Sequence, residues 1–336
     1  MNKKNNFFII PAIVLAIFLF IFIEIQAPDF NSQEVPVIID ISSGQGLSEI
    51  AGMVHDKNLA KSEIFFKVYA ILRGRAHRFQ AGRYIFSEPV SVSGLVEIFS
   101  QGPKEISVTI VPGMTIGEID HQLALAGVIK KNELINFKEE SPKLAKLERL
   151  EKISGSNIKN LEGFLLPDTY RFYQNSKVDF VVDKVLSNFE DKALTFLRGN
   201  DNIYQILILA SLLEKEVPDY GERQIAAAIF KRRLKVGMAL QVDATIIYAK
   251  CQEAYLINCP ELKKEDYKID SPYNTYLYPG LPPAPISNPS LESIQAVINS
   301  KDLGYWYYLS DPKTKKTIFS KTLDEHNQNR AIYLLN

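Results

Sequence analysis

The segment Ile203-Tyr204-Gln205-Ile206-Leu207-Ile208-Leu209-Ala210-Ser211-Leu212-Leu213-Glu214-Lys215-Glu216 is apolar nearly all round from Ile206 to Leu213, with Ser211 its only polar member there. A helix with that pattern is buried, not amphipathic. Pro218 disfavours helical geometry at Val217, so the helix ends on its two acids. Glu214 shares a face with Leu207, Ala210 and Ser211. Glu216 lies about 200° round the axis from Glu214 at 3.6 residues per turn. A carboxyl group on a buried face is disfavoured in its charged form by desolvation, and the negative helix pole adds to that. Glu214 is therefore expected to hold its proton, as a general acid for glycosidic-bond cleavage must. The plainer alternative makes Glu214 and Glu216 solvated residues at a helix end, with Lys215 between them. Around this helix the chain alternates short strand patterns with helix patterns, which predicts an α+β fold.

Working outward, 336 residues are enough for two or three domains. Lys+Arg and Asp+Glu are equal at 39 each, and the absence of a basic excess argues against a nucleic-acid partner. Cys251 and Cys259 form no CxxC pair, and the scattered histidines give no ligand spacing. Neither a metal nor a cofactor is expected.

The N-terminus carries an apolar run from Phe7 to Ile23, preceded by Lys3 and Lys4 and followed by Glu24, Asp29 and Glu34. Such a run covers about 26 Å, at the short end for a bilayer core. The flanking charges predict a cytoplasmic N-terminus, with everything after about residue 25 on the extracytoplasmic side. A cleaved signal peptide is the rival reading. It has a shorter apolar core and a small-x-small cleavage site, whereas Pro28 spoils the cut after Ala27. Residues 1–25 are thus expected to be a cytoplasmic tip and transmembrane anchor, and residues 26–36 a linker.

Residues 37–105 read as a small α+β domain. Val37-Ile38-Ile39 is a strand pattern, Ser42 to Gly46 a turn, and Leu47, Ile50, Ala51 and Val54 recur at helical spacing. A second helix pattern runs from Ile64 to Leu72. The chain turns at Gly82 into a strand, and Ser93 is placed to cap a short helix over Gly94–Phe99. The pattern Ile39-Asp40-Ile41…Gly44…Leu47…Glu49-Ile50 returns 69 residues later as Val108-Thr109-Ile110…Gly113…Ile116…Glu118-Ile119, a short strand–turn–helix echo. Residues 106–160 form a connecting region, charged and helical after residue 130, around Leu144, Leu147 and Leu150. From Leu161 to the C-terminus, Pro-, Tyr- and Gly-rich segments alternate with apolar helices.

Four of those segments join the buried helix as candidate machinery. Leu161 to Phe172 contains two turns, at Gly163 and at Pro167-Asp168. In Leu240 to Tyr248, Asp243 is placed to cap a helix starting near Ala244. Ser271 to Pro289 is a rigid, Pro-rich irregular loop with tyrosines suited to sugar faces and Asn suited to hydroxyls. Tyr305 to Leu309 is a strand, Lys313–Lys316 a turn, and Ile318-Phe319-Ser320 the return strand before His326. Each has an ordinary structural explanation when taken alone.

Taken in order, however, the five segments resemble the YceG-like, or MltG-type, endolytic murein transglycosylases. The resemblance rests on Glu-Gly-x-x-x-Pro-Asp-Thr-Tyr at 162–170, Ala-Ser-x-x-Glu-Lys-Glu at 210–216 and Leu-Gln-x-Asp-x-Thr-x-x-Tyr at 240–248. It continues through Ser-Pro-Tyr-Asn-Thr-Tyr and Gly-Leu-Pro-Pro-x-Pro-Ile within 271–286 and ends on Phe-x-x-x-x-x-x-His-Asn at 319–327. It implies a LysM-like domain at 37–105 and a catalytic domain at 161–336. It also implies peptidoglycan glycan strands as substrate, with peptidoglycan synthases of the same membrane as candidate partners. By the same resemblance Glu214 is the catalytic acid/base, and the product is a 1,6-anhydro-MurNAc end. Glu162, Tyr170, Ser211, Gln241, Asp243, Thr245, Tyr248, Tyr273, Asn274, Thr275, Tyr276, His326 and Asn327 are the implied substrate-binding residues. Ala244 stands where the family usually has Pro, and Val242 where a small polar residue is frequent. Outside the cytoplasm, Cys251 and Cys259 could pair to close a short loop. The alternatives are a hydrolase that leaves reducing ends and a non-catalytic glycan-binding scaffold of the cell-wall machinery.

Overall fold

The computed structural model describes residues 28–29, 37–86, 88–137, 145–155, 158, 160–251 and 259–334. The expected membrane span at Phe7–Ile23 lies outside them. Among the described residues no helix is long and apolar enough to cross a membrane. The fold is mixed α+β, built of helices and small two-stranded sheets. The chain divides into two compact units, Met1–Glu105 and Ile106–Asn336.

In the first unit, β1 (Pro28–Asp29) pairs with β4 (Val90–Ser91). The larger ribbon pairs β2 (Val37–Ile41) with β3 (Gly82–Phe86), antiparallel, from Val37↔Phe86 to Ile41↔Gly82. Alternate residues Val37, Ile39 and Ile41 point inward, as period-2 patterning requires. They meet α1 (Leu47–Asp56), α2 (Glu63–Leu72) and α3 (Val92–Gln101) around Phe66 and Phe99, whose rings lie 6.2 Å apart edge to face. The cap of α3 falls two residues earlier than Ser93. Ser91 Oγ accepts the Gly94 N–H at 3.2 Å, and the Ser93 hydroxyl bonds to Ser91 instead.

The second unit opens within β5 (Glu105–Ile110), at Ile106, and continues into α4 (Ile116–Leu125); these are the counterparts of β2 and α1 in the echoed pattern. Gly44 and Gly113 occupy the same turn position and adopt φ of +86° and +81°, a region that glycine enters freely. A capping box starts α4: Thr115 Oγ1 accepts Glu118 N–H at 3.3 Å, and Glu118 Oε2 accepts Thr115 N–H at 2.8 Å. Helix α5 (Ala145–Ser154) is charged on one side only; Leu147 and Leu150 are buried in the core. Strand β6 (Asp168–Tyr173), paired with β5, precedes α6 (Val178–Leu197).

The central helix α7 runs Ile203–Glu216, the span expected from its pattern, and Val217 beyond it is extended. It packs against α5, α8 (Tyr220–Lys235), α9 (Asp243–Cys251) and α10 (Leu291–Ile298). Leu207, Ala210, Leu212 and Leu213 are fully enclosed. The hairpin of β7 (Tyr307–Ser310) and β8 (Thr317–Ser320) pairs Tyr307 with Ser320 and Ser310 with Thr317. It carries the final helix α11 (Leu323–Leu334). Cys251, the last residue of α9, forms a disulfide with Cys259.

Candidate active site

The two acids at the end of α7 have opposite surroundings. Glu214 points to the core side, as its helical face predicts. There its Oε1 pairs with Arg223 at 3.1 Å, and its Oε2 accepts Ser290 N–H at 2.8 Å and the Ser290 hydroxyl at 2.6 Å. Only 5% of its side chain is exposed. Ser290 caps α10, so Glu214 is a charge partner at that helix's positive end and an anchor for Arg223. Glu214, the residue expected as the acid, is thus buried with an arginine and two hydrogen bonds from Ser290 around its carboxyl group and does not line the cleft that Glu216 faces.

Glu216 faces the other way, into a cleft of about 580 Å³. The cleft is closed by the end of α7, the start of α9, Arg233 of α8, strand β7 and one face of α11. Glu216 Oε1 accepts the Ala244 N–H at 3.2 Å, and its Oε2 accepts the Tyr308 hydroxyl at 3.2 Å. Burial pushes the Glu216 carboxyl up to about 7, and the nearby Asp243 charge adds to this against the two hydrogen bonds. Burial likewise raises the Tyr308 phenol, and the Glu216 charge raises it further. Tyr308 therefore stays a donor.

Asp243 does not cap α9 with its side chain as its position suggests. Its Oδ1 instead accepts the hydroxyls of Tyr276 at 2.5 Å and Tyr267 at 3.2 Å. Gln241 opens onto the cleft from a left-handed backbone, φ +55°. That conformation costs a non-glycine residue about 1–2 kcal/mol, and here it is fixed by the Gln241 N–H bond to Thr275 O at 3.2 Å. His326 stacks on Tyr307 with centroids 5.3 Å apart, and burial pulls its imidazole below the ordinary value, aided by Arg330 and Arg233. Asn327 lies beside it on the cleft wall.

Of the expected residues, Gln241, Asp243, Tyr276, His326 and Asn327 thus gather around Glu216. Thr245 and Thr275 stand behind them, Oγ to Oγ at 2.9 Å, with Thr275 accepting Val242 N–H at 3.0 Å. Tyr248 and Tyr273 pack ring to ring at 4.8 Å, off the cleft wall. Asn274 folds its own loop, donating to Tyr267 O and Ile269 O and accepting from Tyr276 N–H.

Three expected residues are elsewhere. Ser211 fixes the Pro-rich loop by accepting Ile286 N–H at 3.0 Å. Tyr170 is buried, donating to Leu166 O at 2.6 Å. Glu162 is wholly buried, accepting Ile116 N–H at 3.1 Å and the Asn288 amide at 2.7 Å. Desolvation raises its carboxyl to about 8. Glu216, Tyr308 and Arg233 also line the cleft, although the sequence motifs did not single them out. The signal for Glu216 was present in its position opposite the buried face. No local pattern marks Arg233, which donates to Leu240 O at 2.7 Å just beyond its own helix and to Trp306 O at 2.8 Å far along the chain.

Residues 39–332 match the model of the YceG-like family. The chain is 27% identical over 321 residues to the endolytic murein transglycosylase of Bacillus subtilis (strain 168), covering 91% of this chain and 87% of that protein. It is 30% identical over 329 residues to the endolytic murein transglycosylase of Streptococcus pneumoniae (strain ATCC BAA-255 / R6), covering 90% of this chain and 59% of that longer protein. The structure is also similar to the crystal structure of a YceG-like protein from Listeria monocytogenes, with TM-score 0.55 and 26% identity, over 89% of this chain and 100% of that one.

Proposed function

The chain belongs to the YceG-like family, and from that premise we propose that it is an endolytic lytic transglycosylase of peptidoglycan with Glu216 as its acid and base. The observation that carries this reading is the position of Glu216: it opens on a tyrosine-lined cleft, where burial pushes its carboxyl up to about 7. A carboxylic acid still protonated near neutrality suits general-acid catalysis. Glu216 protonates the oxygen bridging MurNAc C1 and GlcNAc C4. The C1–O bond breaks with its electron pair on that oxygen, leaving positive charge at C1. The Glu216 carboxylate then takes the proton of the muramyl C6 hydroxyl as O6 bonds to C1. Atoms balance without water, so one carboxyl group suffices where a hydrolase needs two. Asp243, held by two tyrosine hydroxyls, is the group suited to face the charge at C1. Gln241, Tyr276, His326 and Asn327 are the proposed glycan contacts.

The first unit is proposed to be LysM-like and to help hold the strand, on the support of its strand–helix–helix–strand core and the sequence resemblance. An N-terminal anchor at Phe7–Ile23, with the remainder extracytoplasmic, is supported by the flanking lysines and by the Cys251–Cys259 disulfide, since such bonds persist outside the cytoplasm. Peptidoglycan synthases in the same membrane are the proposed partners.

The test is digestion of purified peptidoglycan read by mass spectrometry. Wild type should release anhydro-muropeptides, lighter by one water than hydrolysis products. Glu216→Gln should lose roughly 100-fold or more of that release. Glu214→Gln should lose activity only to the extent that it loses fold. Equal release by wild type and Glu216→Gln would overturn the assignment, and hydrated products would favour the hydrolase.

A further inference from the structure

Arg330 differs from every other charged group among the described residues of the cleft. Glu216 and Asp243 are held by hydrogen bonds from Ala244, Tyr308, Tyr276 and Tyr267. The other cation, Arg233, is committed to the carbonyls of Leu240 and Trp306. Arg330 is exposed, lines the same cleft, and has no hydrogen-bond or ion-pair partner among the described residues. Its charge reaches His326, one turn away on α11, and helps lower that imidazole.

The helix around it supports a binding wall. Leu323, Asn327, Arg330 and Leu334 are three or four residues apart and share one face, and that face lines the cleft. The leucines are 53% and 46% exposed, so the free cation sits between two apolar surfaces. A guanidinium fork matches a carboxylate in shape and charge. The N-acetylhexosamine backbone of a glycan strand carries no charge. Its anions hang from the 3-O-lactyl ether of the muramyl sugar, either as the free lactyl carboxylate or as the carboxylates of an attached stem peptide.

We propose that Arg330 forms a carboxylate subsite in the cleft, which binds the acidic 3-O-substituent of a muramyl residue next to the cut bond. Strands with that charge are then held in preference to neutral ones. This rests on the glycan-cutting reading above, and the experiment separates the two.

Binding is measured with the full chain carrying Glu216→Gln, so that nothing is cut. Three strands are compared: peptide-bearing, stripped to the lactyl group, and stripped with the lactyl carboxylate converted to an uncharged amide. Adding Arg330→Gln should weaken one or both charged strands about five- to tenfold and leave the neutral strand unchanged. Arg330→Lys should restore part of the loss. Whichever charged strand responds identifies the source of the carboxylate. Equal weakening of all three strands, or of none, overturns the subsite while leaving the glycan reading intact. Failure of the parent protein to bind any strand brings down both.

Discussion

A helix of 14 residues ends in two carboxyl groups separated by one lysine, and their fates differ because 200° of rotation separates a core from a cleft. Glu214 meets Arg223 and the capping serine of α10. Glu216 meets an N–H, a phenol and the negative charge of Asp243. The periodicity of α7 was legible from sequence to the residue. The surroundings of the two acids were not, because Arg223 and Ser290, the partners of Glu214, come from other segments of the chain. If Glu216 acts in its protonated form, kcat/KM falls as pH rises through about 7. Asp243 contributes to that position, so Asp243→Asn should lower the Glu216 pKa and move the falling limb to lower pH. The fold should survive, since an asparagine oxygen can still accept from Tyr276 and Tyr267. A pH–rate profile with an unmoved limb would show that Asp243 exerts no such control.

Among the elements, the motif residues that miss the cleft serve to join segments. Asn288 Oδ1 accepts the N–H groups of Gly163 and Leu165, both at 2.9 Å, while its amide reaches Met114 O and Glu162. Glu162 accepts the first N–H of α4. A Cβ at Gly163 would lie 2.5 Å from Pro285, and its φ is +87°, so the turn and the Pro-rich loop are matched in shape. The Glu-Gly turn and the Pro-rich loop up to Pro289 are visible in the sequence, but a buried polar knot and a substrate contact use the same residue types. The knot makes a pH prediction. Glu162 is raised from 4.5 to about 8, so the folded state holds its proton more tightly than the unfolded chain does. Its contribution to stability is full below about 4.5 and is lost as pH rises towards 8. Glu162→Gln mimics the protonated form. Thermal melts from pH 5 to 8 should fall more steeply for wild type than for this variant, and parallel slopes would rule the knot out as the source.

At the scale of the whole molecule, the echoed strand–turn–helix at Gly44 and Gly113 begins each of two separate cores. One closes around Phe66 and Phe99, the other around α7. Every described residue lining the cleft belongs to the second unit. The paired acids, the tyrosines of β7 and the face of α11 therefore need nothing from the first unit to be complete. A chain beginning at Glu105 should then unfold in a single cooperative transition of its own and still produce anhydro ends from soluble strands. If the first unit holds glycan, removing it should raise KM while leaving kcat nearly unchanged, because binding that is equal in ground and transition states acts on KM alone. Steady-state kinetics on strands of increasing length would separate the cases. A loss confined to long strands fits a second contact along the glycan. A fall in kcat on the shortest strands would mean that the cleft depends on the first unit after all.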